Sequence, residues 1–168
     1  MTARDPLQLF EQPVRRWFEA AFPGVTDAQR AGWPAIAAGD STLILAPTGS
    51  GKTLAAFLAC LNRIMFQPAP ATRVRCRILY VSPLKALAVD VERNLRAPLV
   101  GIAQAAMAMQ MSVVEPIIWT RTGDTPANER ARFERHPPDI LITTPESLYL
   151  MLTSNARNAL VSLETVII

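Results

Sequence analysis

Ala46-Pro47-Thr48-Gly49-Ser50-Gly51-Lys52-Thr53 decides how the rest of the chain is read. It joins an apolar run, Thr42-Leu43-Ile44-Leu45, to a helix-forming run, Leu54-Ala55-Ala56-Phe57-Leu58. It fits the phosphate-loop pattern G-x-x-x-x-G-K-[ST] at every position except the first, where Ala46 stands in for Gly. Backbone N–H groups of such a loop line a concave anion site, and the helix that follows points its positive dipole end at the same place. A nucleoside triphosphate with Mg²⁺ is the expected occupant. Lys52 is expected to place a charge on the β and γ phosphates, and the Thr53 hydroxyl to ligate a Mg²⁺ that bridges them. The bland alternative is a glycine turn ahead of a helix; eight specified residues in a strand-to-helix context argue against it.

Outward from the loop, strands and helices take turns. Apolar runs rich in β-branched residues predict strands at Thr42–Leu45, Arg77–Ser82, Pro116–Thr120, Asp139–Thr143 and Glu164–Ile168. Helical spacing or helix formers occupy Lys52–Phe66, Leu84–Met109, Pro126–Arg135 and Pro145–Leu152. This order predicts an α/β fold: a parallel sheet with helices on both faces and right-handed crossovers. Ser82-Pro83 and Thr144-Pro145 each place a hydroxyl and a proline at an expected helix start, as caps require. Ligands of open parallel sheets bind beyond the carboxyl ends of the strands. The phosphate loop, Ser82–Lys85, Thr120–Asp124 and Thr143–Ser147 are therefore expected along one edge.

Composition bounds the classes of function. With 168 residues, 50% hydrophobic and 18% charged, the chain can bury a core and is not a disordered tail. A net charge of +3 permits nucleic-acid binding without demanding it, because the basic residues form no block. Cys60 and Cys76 form no C-x-x-C pair, so zinc and redox readings lack support and buried thiols in a reducing cytoplasm are expected. Met1–Phe10 lacks the apolar core of a secretory leader, and Ala97–Val114 is too weakly apolar to span a bilayer, so no membrane role is expected.

Upstream, Thr26 is placed to cap a helix that presents Gln29 one turn in. A glutamine amide offers a donor and an acceptor, matching the N6 and N7 edge of adenine, although a Gln on a helix surface is more commonly just solvated. His136, the only histidine, sits beside Pro137-Pro138 with no second ligand in reach, and reads as a loop residue. Trp33 and Trp119 lie in apolar patterns that favour core packing, leaving Trp17 beside Arg15 and Arg16 as the one tryptophan with a claim on the surface.

Taken in order, Thr26-x-x-Gln29, Ala46–Thr53, Ser82–Leu87, Arg121-Thr122-Gly123-Asp124 and Thr143-Thr144-Pro145-Glu146-Ser147 resemble the motifs of superfamily 2 helicases of the DEAD/DEAH type. Val81–Leu99, Arg121–Thr125 and Pro138–Ser154 are similar to the large helicase-related (Lhr) proteins. The resemblance implies N-terminal helices over 1–40, carrying the adenine-reading Gln29, and part of a first RecA-like ATP-binding domain over 41–168. It implies a single strand of DNA, or the tracked strand of an RNA/DNA hybrid, held by Pro83, Lys85, Thr122, Gly123, Asp124, Thr144, Pro145 and Glu146. A second RecA-like domain would close over the ATP, and a role in DNA repair would follow.

In the family, the strand matching Glu164–Ile168 runs into an Asp-Glu-x-His motif that holds Mg²⁺ and the attacking water. The sequence stops at Ile168. The polypeptide as given is thus expected to bind ATP weakly and neither hydrolyse it usefully nor unwind a duplex. The alternatives are a truncated, non-enzymatic remnant that binds nucleotide or nucleic acid, and a phosphate-loop ATPase that remodels protein, which leaves Ser82–Leu87 and Thr143–Ser147 unexplained.

Overall fold

The computed structural model describes residues 5–168; Met1–Arg4, part of the stretch read as lacking a leader, lie outside the described residues. The elements are α1 (Gln12–Ala21), α2 (Asp27–Ala38), α3 (Lys52–Met65), β1 (Ile78–Val81), α4 (Lys85–Ala108), β2 (Ile118–Arg121), α5 (Ala127–Arg135), β3 (Ile140–Thr143), α6 (Pro145–Leu152) and β4 (Thr165–Ile167). The chain forms two compact units, one running through Gln67 and including Pro98–Val113, the other made of Pro68–Ala97 and Val114–Ile168. Helix α4 contributes to both. The division falls at Pro98, which has no N–H to give to the carbonyl one turn back.

The first unit is helical. Thr26 caps α2 with a full capping box, and Gly39 closes that helix in the left-handed conformation, φ 85°. Its core is aromatic: the Trp33 ring meets Phe10 at 4.8 Å and Phe18 at 5.5 Å, both edge to face. The Trp33 indole N–H donates to the Ala55 carbonyl of α3 at 3.1 Å, so burying this tryptophan leaves no polar atom unpaired. Trp17, expected at the surface, instead packs on α4. A Cβ on Gly101 would come within 2.1 Å of its ring, so only glycine admits the indole there.

The second unit carries a four-stranded, all-parallel sheet in the order β2-β3-β1-β4. Successive side chains alternate between faces. Leu79, Val81 and Leu141 lie in a cluster with Phe133 of α5, Met151 of α6, and Ala156, Ala159 and Leu160 of the 3-10 segment Asn155–Leu160. Thr120, on the opposite face, donates to Glu92 of α4 at 2.7 Å. At the amino ends of the strands, the fully buried Asp139 carboxylate accepts the Arg75 Nε–H at 2.9 Å and the Ile117 N–H at 2.8 Å, with Arg77 Nη2 at 3.5 Å.

Three expectations are corrected. Thr42–Leu45 forms no strand: Leu43 and Leu45 are 83% and 85% exposed, and no strand pairs with this run among the described residues. An apolar run becomes a strand only where a neighbour takes its N–H and C=O groups. Ser82 does not cap α4, because its hydroxyl donates to the Leu84 carbonyl at 2.8 Å; Pro83 therefore lies before the helix and does not open it. Thr144 precedes α6 without capping it through its side chain, although Pro145 does sit in the first turn.

Candidate nucleotide and nucleic-acid site

The residues predicted to act fall into two groups, one in each unit. In the first unit, Gly49 and Gly51 both adopt φ +81°, a left-handed conformation that glycine enters without penalty. Gly51 is the N-cap of α3, whose fourteen residues follow at Lys52. The loop thus turns twice and delivers the helix amino end, with its unpaired N–H groups, at Lys52 and Thr53. The Lys52 ammonium folds over the loop and donates to the Ala46 carbonyl and, at 2.7 Å, to the Pro47 carbonyl. Ser50 places a buried hydroxyl in the same loop with no hydrogen-bond partner. Thr48 and Thr53 are exposed.

Helix α2 supports this loop from one side. The Thr26 hydroxyl accepts the Gln29 N–H at 3.3 Å and donates to the Ser50 carbonyl at 2.8 Å, while Gln29 Oε1 accepts the Thr26 N–H at 3.0 Å. Gln29 is only 2% exposed. A Cβ on Gly51 would lie 2.6 Å from Gln29 Nε2. The surface Gln read from the sequence is therefore a buried strut beneath the loop. Its Oε1 accepts one N–H, from Thr26. The T-x-x-Q spacing of a capping box carried that signal in the sequence.

In the second unit, three predicted loops meet at the carboxyl edge of the sheet, as expected. The Ser82 N–H donates to the Thr143 carbonyl at 2.7 Å and the Thr143 hydroxyl to the Arg121 carbonyl at 2.7 Å, lacing the ends of β1, β3 and β2 together. Thr122–Thr125 is a tight turn in which the Thr122 N–H donates to the Thr125 hydroxyl at 2.9 Å and the Thr125 N–H to the Thr122 carbonyl at 3.1 Å. Gly123 at its tip has open space around it. Lys85 Nζ pairs with Asp124 Oδ2 at 2.6 Å, with the two side chains 55% and 78% exposed.

Glu146 in the first turn of α6 is held below the usual carboxylate range, first by its own backbone N–H, then by the Thr144 hydroxyl, with Lys85 adding a smaller pull. Beneath this edge lies Arg121, which the sequence reading did not single out as a binding residue. Burial draws its pKa below the usual arginine value, with Glu134 opposing, and its guanidinium lies 5.0 Å from the centre of the Phe133 ring. No group of three or more His, Cys, Asp or Glu among the described residues could hold a metal ion by itself. A divalent cation here would depend on the ligand's own oxygens together with Thr53.

The profile of the DEAD/DEAH box helicase family matches residues 26–168. A Mycolicibacterium smegmatis protein called Lhr helicase/probable uracil glycosylase is 53% identical over 164 residues, which cover 98% of this chain and 11% of that protein. The Escherichia coli Lhr helicase/uracil glycosylase is 51% identical over 173 residues, again 98% of this chain and 11% of the relative. A solved structure of Mycobacterium smegmatis helicase Lhr bound to ssDNA and AMP-PNP aligns with a TM-score of 0.90 and 52% identity, over 96% of this chain and 20% of that one. The chain thus spans 11% of the length of these two curated relatives.

Proposed function

The chain belongs to the DEAD/DEAH box helicase family and has the fold of its RecA-like domains, and from that premise we propose that residues 41–168 are the ATP-binding lobe of an Lhr-type, ATP-dependent helicase or translocase. The observation that carries this reading is the loop Ala46–Thr53, with two left-handed glycines feeding the amino end of α3 under a lysine that already contacts oxygen atoms. In binding ATP, Lys52 exchanges the Ala46 and Pro47 carbonyls for β and γ phosphate oxygens, and the loop N–H groups take the remainder. The orphaned Ser50 hydroxyl supplies a further donor. The Thr53 hydroxyl would be this chain's ligand to a Mg²⁺, whose chemistry there would be to neutralise phosphate charge. Gln29 braces the loop through Thr26 and is the proposed reader of the adenine edge, with its Nε2 as donor and the second lone pair of Oε1 as acceptor.

The carboxyl edge of the sheet is the strand-binding face of this reading. Lys85 and the N–H groups of α6 and the Thr122–Thr125 turn suit phosphate contacts, which give affinity without reading sequence. Single-stranded DNA, or one strand of an RNA/DNA hybrid, is the proposed partner, and a second RecA-like domain completes the ATP site. Hydrolysis is proposed for the full protein that carries these residues, since the chain spans 11% of the length of the relatives it matches. A role in DNA repair is supported by the relatives whose names join a helicase to a uracil glycosylase. Action in the cytoplasm is supported by the burial of Cys60 and Cys76 without a disulfide. No helix among the described residues is long and apolar enough to cross a membrane.

The test is ATP hydrolysis by the full protein that carries these residues, with and without single-stranded DNA. Strand-stimulated turnover that Lys52→Ala abolishes supports the reading. Nucleotide binding without strand-stimulated turnover would instead assign a non-enzymatic binding protein.

A further inference from the structure

We propose that Asp124 and Glu146 are internal stand-ins for nucleic-acid phosphates, occupying the two positive features of the strand-binding edge so that an incoming strand must displace them. The inference rests on the reading of that edge given above and fixes the role of two residues that resemblance alone would place among the strand's contacts. Ionised carboxylates have no proton to donate to a phosphate oxygen and repel its charge. Asp124 nevertheless sits on the only flexible cation of the predicted contact set, Lys85, at 2.6 Å. Glu146 lies in the first turn of α6, where unpaired N–H groups and the helix dipole favour an anion. Each anion-binding feature therefore already holds an anion, and both anions belong to the protein.

The consequence is an exchange in place of a simple capture. A strand phosphate that takes Lys85 releases Asp124 to water, so the lysine keeps one ionic partner throughout and the net gain is small. An exposed ion pair of this kind is itself weak, so the strand can displace it readily. The device lowers affinity for nucleic acid in general and lets a translocating lobe release each phosphate as easily as it takes it. Asp124 and Glu146 are positioning residues in this account, acting through Lys85 and the α6 N–H groups.

The experiment measures binding of a fluorescently labelled oligodeoxythymidine to the full protein by anisotropy over a salt series, for Asp124→Asn, Glu146→Gln, Lys85→Ala and the Lys85→Ala/Asp124→Asn pair. Asp124 is 78% exposed, so its asparagine variant is expected to keep the fold. Glu146→Gln keeps an acceptor for the helix N–H while removing the charge. Asp124→Asn is expected to bind about two to five times more tightly at low salt, the worth of an exposed ion pair, with the log–log salt slope steeper by about 0.7, the value for one additional single-strand phosphate neutralised. The gain disappears in the Lys85→Ala background. Unchanged or weaker binding by Asp124→Asn, while Lys85→Ala still weakens it, overturns the proposal and leaves the interface reading intact. If Lys85→Ala changes nothing, the edge is not on the strand's path and both fall together.

Discussion

Replacing Gly51 with alanine tests the architecture of the phosphate loop more directly than replacing the lysine does. Two separate costs arise at this position. At φ +81° an L residue with a Cβ loses about 1–2 kcal/mol. That Cβ also falls 2.6 Å from Gln29 Nε2 and 3.3 Å from its Cδ, so Gln29 must withdraw and the capping box of α2 opens. Loss of a cap costs about 1 kcal/mol more. Gly49 is the internal control, since it has the same φ of +81° but nothing within 4 Å of its would-be Cβ. Gly51→Ala should therefore lose about 2–3 kcal/mol and Gly49→Ala about 1–2 kcal/mol, or about 4–12 °C against about 2–8 °C in Tm for a chain of this size. Thermal and urea denaturation measure both. The decisive variant is Gln29→Ala/Gly51→Ala, whose destabilisation should fall about 1 kcal/mol short of the sum of the singles, because the alanine at 29 removes the collision. Equal losses at the two glycines, or strict additivity with Gln29→Ala, would refute the reasoning.

Three further outcomes follow from the geometry. Lys52→Ala should reduce nucleotide affinity at least tenfold by calorimetry while moving Tm little, since the lysine contacts only carbonyls of a half-exposed loop. Asp139→Asn should cost about 3 kcal/mol or more in urea denaturation, because it leaves the Arg75 and Arg77 guanidinium groups at the strand ends without their counter-charge. Burial, with Asp139 adding to it, raises the Cys76 thiol from an ordinary value of 9.0 to about 12. The folded state then keeps its proton while the unfolded chain ionises. Stability is fully present below about pH 9 and falls by up to about 1.4 kcal/mol per pH unit toward pH 12. Cys76→Ala should flatten that alkaline limb relative to the parent in denaturation series at pH 8 and 10.

Much of the second unit could be read from the sequence because its elements follow local signals. The strands β1, β3 and β4 fall within the β-branched runs expected of them, β2 runs one residue past its run to Arg121, and α6 begins at Pro145 as its proline predicts. The failures occur where a segment's fate depends on a partner distant in sequence. Thr42–Leu45 has the composition of a strand, but composition cannot supply the neighbouring ladder, and Leu43 and Leu45 stay exposed. The Thr26-x-x-Gln29 spacing points to adenine recognition but does not reveal that Gln29 is buried; what buries it is the approach of the Gly51 backbone, a contact 22 residues away in sequence that only the fold creates. The pairing of Lys85 with Asp124 spans 39 residues and likewise leaves no mark in either loop.

The two lysines that the sequence singled out share a geometry and differ in charge balance, and that difference orders their roles. Lys52 rests on two neutral carbonyls, which satisfy its N–H groups without cancelling its charge. A polyphosphate that takes their place gains the full attraction of an uncompensated cation, reinforced by the α3 dipole. Lys85 rests on a carboxylate, so a phosphate arriving there replaces one anion with another and gains little. Under the proposed function, the nucleotide loop would hold its ligand and the carboxyl edge of the sheet would pass its ligand along, an asymmetry that suits a motor that keeps ATP while a strand moves by one phosphate. Moving a carboxylate into the nucleotide loop, as in Thr48→Asp, should weaken nucleotide binding about tenfold by supplying the competitor that the native loop lacks, with calorimetric titration as the measure. An unchanged affinity would show that Lys52 is reached by phosphate regardless of what compensates it, and the contrast between the two sites would lose its basis.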